Sequence, residues 1–249
     1  MGETASSLVD DLRVQEAAWN ARPMVRRLYH DWYELVVSRL SEASGGTFEL
    51  GSGISRFKEH YPRAIATDIE PTPWVDEVVD AEALPCEDSS VANLVLIDVF
   101  HHLPRPMRFL DEAARVLVPG GRAVVLDPYC SPVSYRAYRG FHHERTDLDA
   151  PAFEHDAAAA RSPMASNQAR ATLVFFRKRG EYERRWPALP VVETKLLSVL
   201  AYPLSGGFTR PKLVPDVLYG SLMVVERALM PFARLLAFRC LVVLERQPD

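Results

Sequence analysis

The stretch Phe48-Glu49-Leu50-Gly51-Ser52-Gly53 constrains the fold of this chain more than any other. It reads as the end of a strand running into a glycine turn. Two glycines one residue apart let a backbone turn sharply and approach a bulky ligand with no Cβ in the way. In open α/β sheets, nucleotide-like ligands bind in such a strand-to-helix crevice. Asp68 closes the next apolar stretch, Ala64-Ile65-Ala66-Thr67-Asp68, 19 positions after Glu49. A carboxylate at that spacing is placed to take a pair of ribose hydroxyls.

The variant of the turn narrows the ligand. A dinucleotide-binding chain wants G-x-G-x-x-G, with a third glycine at position 56. Arg56 stands there, and no third glycine follows nearby. An acidic residue directly before the turn, Glu49, suits an amine or hydroxyl better than a pyrophosphate. The expected cofactor is therefore zwitterionic and free of phosphate.

Four segments, in this order, carry a family resemblance. They are Glu49 to Gly53; Ala66 to Glu70; Asp80-Ala81-Glu82-Ala83-Leu84-Pro85; and Leu94 to Leu103 followed by Leu117-Val118-Pro119-Gly120-Gly121. Over about a third of the chain, residues 45–128, it resembles a class I S-adenosylmethionine-dependent methyltransferase of the broad ubiquinone-type and small-molecule group. The resemblance implies a Rossmann-like, seven-stranded, mostly parallel sheet with an antiparallel last strand and helices on both faces. It also implies site residues, with S-adenosylmethionine as cofactor. Glu49 and the backbone of Gly51, Ser52 and Gly53 would hold its methionine end. Asp68 would bind the ribose, Ile69 would pack on the adenine face, and Asp80 with Ala81 would meet the adenine amino group. Asp98, at the end of the fourth strand, would lie near the methionyl ammonium. Many members carry a third glycine where this chain has Ser55; serine is small enough to be tolerated there, and would either narrow the approach to the methionine carboxylate or donate a hydrogen bond to it.

At 249 residues, with 48% apolar and 25% charged side chains, the chain can build one substantial α/β domain with additions. A net charge of −4 supplies no basic field for nucleic acid. Arg177-Lys178-Arg179 and Arg184-Arg185 read as solvated faces. Cys86, Cys130 and Cys240 are odd in number and lack metal-ligand spacing, which fits free thiols in a cytoplasmic protein. No signal peptide and no apolar run of membrane-spanning length is apparent.

Four regions follow: a helical lead-in, 1–44; a cofactor-binding core, 45–128; a cap or substrate-recognition insertion, 129–190; and the end of the sheet with a long apolar helix, 191–249. Residues 7–20 read as polar and partly helical. Pro23 suits a first helical turn, and apolar residues recur at helical spacing from Met24 to Leu40. Strands are expected over 47–50, 65–67, 77–79, 94–99 and 122–126, with Pro119-Gly120-Gly121 as a turn. Within the insertion, helical pieces are expected over 132–141 and 167–178. Leu196 to Tyr202 reads as a strand and Cys240 to Glu245 as the last one. A helix over 215–236, kinked by Pro231, is apolar on more than one face. Full burial, a homodimer interface or contact with a lipid-like substrate would each explain that.

Methyl transfer from a sulfonium mainly requires alignment of a nucleophile and exclusion of water. A base is needed only for a poorly acidic hydroxyl or a protonated amine. His101, in His101-His102 after the fourth strand, is one candidate, with a turn cap as its structural alternative. His142 and His143, in His142-His143-Glu144, are the others. The same triplet offers ligands to a metal with His155 or Asp147, but adjacent histidines usually diverge and no metal is expected. The expected function is methyl transfer to oxygen or nitrogen of a small, partly apolar acceptor. The alternative is a methyltransferase-like scaffold that docks a partner through the late helix.

Overall fold

The computed structural model describes residues 2–141, 144–156, 165–208 and 210–248. Strands β1 (Gly46–Leu50), β2 (Ala64–Asp68), β3 (Glu77–Val78), β4 (Val91–Ile97), β5 (Leu117–Pro128), β6 (Val191–Leu197) and β7 (Arg239–Glu245) form one sheet. Its order is β3-β2-β1-β4-β5-β7-β6. The pairs from β3 through β5 are parallel, whereas β7 runs antiparallel to both β5 and β6. This is the expected sheet, with β7 inserted between β5 and the edge strand β6.

Strict alternation assigns each central strand's side chains to two cores. Leu94 and Leu96 of β4, Ala123 and Val125 of β5, and Cys240, Val242 and Leu244 of β7 face one side. There they pack with Phe109, Leu110 and Ala113 of α4 (Pro106–Val116) and with Leu173, Val174 and Phe175 of the insertion. Val95, Val124, Leu126, Leu241 and Val243 face the other side, against α1 (Gly2–Ala21) and α2 (Pro23–Val37). Pro23 opens α2. Its Met24, Val25, Leu28, Tyr29, Trp32, Tyr33 and Val36 recur at a helical period and are all buried.

Several boundaries differ from expectation. Residues 7–20, read as partly helical, belong wholly to the 20-residue helix α1, whose Leu12 and Trp19 reach the core. The turn expected at Pro119-Gly120-Gly121 is part of β5; the β4–β5 register shifts where Val91 pairs Leu117 and Asn93 pairs Arg122. That irregularity is a bulge, and Gly120 supplies its positive φ of 76°. The strand expected at 196–202 begins earlier and stops at Leu197. Ser198 takes a φ of 59°, and α8 (Ala201–Ser205) follows. The long 215–236 helix is four pieces: a 3₁₀ turn (Asp216–Leu218), α9 (Tyr219–Leu229), a second 3₁₀ turn around Pro231 (Met230–Phe232) and α10 (Ala233–Leu236).

The insertion begins with α5 (Pro132–Phe141), as expected. After it the chain folds back over the ends of β4 and β5. The Asn167 N–H donates to the His101 carbonyl (2.9 Å) and that of Asp156 to the Pro104 carbonyl (2.7 Å). Arg170 is fully buried and pairs with Asp156 at 2.6 Å. Instead of one helix over 167–178 there is a turn of α-helix, α6 (Arg170–Thr172), then π-helix over Leu173–Arg177, then α7 (Arg179–Arg185).

Candidate functional site

The turn after β1 has the geometry its glycines permit. Gly51 and Gly53 have φ of 65° and 53°. A Cβ on Gly51 would sit 2.7 Å from a Val99 methyl, so the backbone there approaches its neighbour as only glycine allows. Leu12 of α1 lies over Gly53. Ser55 also adopts a left-handed conformation, φ 54° and ψ 41°. A Cβ in that region is strained, which explains why glycine suits this position better. Arg56 opens α3 (Arg56–His60) and ties the turn to α1 through Glu16 at 2.7 Å.

Two buried oxygens at the turn lack partners among the described residues: Glu49 Oε2 and Ser52 Oγ. Burial, reinforced by the nearby Asp68 charge, pushes the Glu49 carboxyl well above the usual range. Asp68 accepts from the Gly53 N–H (3.1 Å) with one oxygen and from its neighbour Ile69 (2.8 Å) with the other. Burial raises its pKa, and those backbone donors hold the rise back. The Glu70 N–H is a third donor, and the two Asp68 oxygens together still hold more acceptor sites than these three bonds use. Ile69 is half exposed. Asp80 accepts from the Glu82 N–H at 2.8 Å, a turn-capping contact, beside the partly buried Ala81.

Asp98 has a φ of 60° and is already engaged. It accepts from the Tyr29 hydroxyl (2.7 Å) and from the Arg239 guanidinium. Arg239 is buried between aromatic faces, 4.3 Å from the Tyr202 centroid and 5.4 Å from Trp32. Sequence reasoning missed Arg239. Its partner lies 141 positions away, and a lone arginine opening a strand carries no local signal. Tyr29 and Tyr33 are buried against the core on α2.

His101 and His102 lie in a 3₁₀ turn (Phe100–His102) that leaves the C-terminal end of β4. His101 is buried, with Nδ1 2.9 Å from Asp127 and Nε2 3.4 Å from Glu144. Burial alone would lower its pKa, but the two carboxylates raise it to about 10. An imidazolium has no lone pair to accept a proton, so this arrangement does not suit His101 to the role of base. His102 goes the other way: burial and the charge of His101 lower it to about 4, while its Nδ1 meets the Ala165 carbonyl at 3.3 Å. Glu144 also accepts from Ser166 (2.7 Å) and from Gln168. The His101 bonds and charge outweigh its burial and hold its pKa well below the carboxylate range. His142 and His143 lie outside the described residues.

Residues 49–125 match the methyltransferase domain family. No curated protein matches the chain significantly. Solved structures share its fold. A chain from the complex between the Haloferax volcanii Trm112 methyltransferase activator and a methyltransferase is 16% identical, with a TM-score of 0.54 over 100% of this chain and 99% of that one. Geranyl diphosphate C-methyltransferase from Streptomyces coelicolor A3(2), solved with Mg²⁺, geranyl diphosphate and S-adenosyl-L-homocysteine, is 12% identical; its TM-score is 0.52 over 89% of this chain and 81% of that one. A Galdieria sulphuraria protein assigned as a sarcosine dimethylglycine methyltransferase is 15% identical, with a TM-score of 0.52 over 96% and 99% of the two chains. The family match over residues 49–125 and the sheet order together give the core of this chain the Rossmann-like fold of a methyltransferase domain. Among the described residues, no helix is long and apolar enough to cross a membrane.

Proposed function

We propose that this chain binds S-adenosylmethionine and transfers its methyl group to an oxygen or nitrogen of a small, partly apolar molecule in the cytoplasm. One observation carries the reading: two buried oxygens without partners among the described residues, Glu49 Oε2 and Ser52 Oγ, lie at the end of β1 and on the left-handed glycine turn that follows it. A buried polar atom without a partner is costly, and a ligand that supplies the partner is rewarded accordingly. Glu49 takes the ammonium of the methionine end, and Ser52 its carboxylate. The open lone pairs of Asp68 take the ribose hydroxyls. Ile69 offers its exposed face to the adenine, with Asp80 and Ala81 at the adenine edge. Asp98 stands near the ammonium, but Arg239 already offsets its charge, so Glu49 carries the larger share of that contact.

Once bound, the sulfonium supplies an activated methyl group. The protein's part is to align the acceptor and keep water out. The insertion supports a covered small acceptor, because it is bonded down over His101 and Pro104 at the sheet's C-terminal edge. His142 and His143 are the proposed bases.

Calorimetric titration with S-adenosylhomocysteine, with NADH as control, tests the reading. Binding of the former alone is expected. Asp68→Ala should weaken it by about 1–3 kcal/mol, the cost of lost charged hydrogen bonds. Unchanged affinity would remove the ribose assignment, and no binding at millimolar ligand would remove the cofactor.

A scaffold reading has its own support. Leu213, Val217, Val224, Val225, Phe232 and Leu235 are exposed around α9 and α10. One structure of similar fold comes from a complex with an activator protein. A stable hetero-complex together with cofactor binding but no turnover on any acceptor would favour it.

A further inference from the structure

A second constellation lies at the same edge of the sheet, and the cofactor assignment does not use it. One ligand atom each from His101, His102 and Glu144 falls within a sphere where all lie less than 4.8 Å apart. The sequence argument against a metal was that neighbouring histidines diverge. Here the two rings stand 4.2 Å apart between centroids, because the 3₁₀ turn after β4 brings them together.

The surroundings of each ring matter more than the cluster itself. A metal-binding imidazole almost always donates its other N–H to a carboxylate or a carbonyl, which fixes the tautomer and the ring plane. Both rings meet this condition through Nδ1. His101 has Asp127 at 2.9 Å, and His102 has the Ala165 carbonyl at 3.3 Å. That leaves the Nε2 atoms for an ion, His101 Nε2 in exchange for its present contact with Glu144 at 3.4 Å. The carboxylate is oriented as well, by Ser166 and Gln168.

We propose that His101 Nε2, His102 Nε2 and a Glu144 oxygen bind one divalent transition-metal ion. Two imidazoles and one carboxylate are a donor set for zinc or ferrous iron and leave coordination positions open. The ion takes the place of the proton that His101 now shares with Glu144, and binding releases that proton to solvent. Its role rests on the methyl-transfer reading: the open positions receive an acceptor hydroxyl. Bound there, the ion would lower the pKa of that hydroxyl, so that its proton would leave to solvent water and its oxygen would attack the sulfonium methyl, with the thioether as leaving group.

The test uses the full chain, stripped with a chelator and titrated with Co²⁺, with Zn²⁺ as competitor. The expected result is one Co²⁺ per chain, with the visible bands of a low-coordinate nitrogen–oxygen site that Zn²⁺ abolishes. His102→Gln and Glu144→Gln should each remove those bands. Asp127→Asn, acting through His101, should weaken uptake about 10–100-fold. Circular dichroism identifies any variant that fails to fold; Glu144→Gln, the most conservative, then decides. No stoichiometric uptake, or uptake undiminished in Glu144→Gln and His102→Gln, would overturn the site and leave Asp127–His101–Glu144 as an ionic clamp for the insertion. Affinity for S-adenosylhomocysteine, measured on the same samples, separates the two claims. Metal uptake without it would sink the methyl-transfer reading and keep the site; the reverse would do the opposite.

Discussion

Glu49 is a buried carboxyl on which burial and the Asp68 charge outweigh the opposing charge of Lys58. Burial raises its pKa, so the free protein keeps a proton there at pH values where an ordinary glutamate has lost it. A bound ammonium favours the ionised form and pulls the pKa down. Between the two values, cofactor binding therefore releases a proton, and affinity rises with pH until the free carboxyl has ionised. Titration with S-adenosylhomocysteine in buffers of different ionisation enthalpy measures that proton, and Glu49→Gln should abolish its release. The same raised pKa acts on stability. The contribution is fully present below the unfolded carboxyl's pKa and is lost as pH rises through the folded one. At this scale the sequence revealed much of the turn. Glu49, the glycines, Asp68 and the anomaly at Ser55 were all visible, because a tight turn constrains residue types locally. Arg239 and Asp127 were not, since their partners lie far along the chain and neither sits in a local pattern.

At the level of elements, periodicity located α2, α4 and the central strands and misplaced the late ones. The expected strand at 196–202 fails at Ser198 because Glu226 reaches across from α9. Its carboxylate accepts from the N–H groups of Val199 (2.7 Å), Leu200 (2.7 Å) and Ala201 (2.8 Å). Those donors are the ones a helix start leaves free, so the side chain turns a β-prone run into the start of α8. No local reading shows a cap supplied from 27 positions away. Likewise, the 215–236 run satisfies a helical period, yet Pro231 cannot donate its missing N–H and the helix breaks into short pieces. Full burial, one of the three readings open for this run, fails with it: Val217 is 85% exposed, Val224 65% and Phe232 56%. Apolar side chains clustered at such exposure mark a contact surface. A homodimer through this face is expected in light scattering. Val224→Ser with Phe232→Ser should give a monomer while shifting stability by no more than about 0.5 kcal/mol per site. A dimer that survives both substitutions would place the interface elsewhere.

Over the whole molecule, the question is whether the insertion folds with the sheet or apart from it. Sequence divided the chain at 129 and 190 because prolines and an acidic patch interrupt the strand–helix alternation. Packing draws no such line. Ala169, Ala171, Leu173 and Phe175 of the insertion join one buried cluster with Leu94, Val125 and Val242 of the sheet. Three free thiols can report on this. Cys240 lies buried in β7, with Sγ 3.6 Å from the Asp127 carbonyl. Cys130 lies at the start of the insertion, its N–H bonded to Thr172 Oγ1 further along it at 2.8 Å. Burial pushes the Cys130 thiol up to about 12 and raises Cys240 well above its ordinary value. Neither forms a thiolate near neutrality, and a thiolate is the reactive species. Only Cys86, partly exposed, should react in the native chain, and slowly, because burial raises its pKa as well. In rising denaturant, a thiol reagent should then gain Cys130 and Cys240 together, at the midpoint given by circular dichroism. Cys130 reacting at lower denaturant would mean that the insertion opens by itself, and the shared core would not be what holds it to the sheet. The continuity of that core argues for the single transition: separating the insertion would expose Phe175 and Leu173, together worth several kcal/mol of burial at about 1.5–3 kcal/mol each.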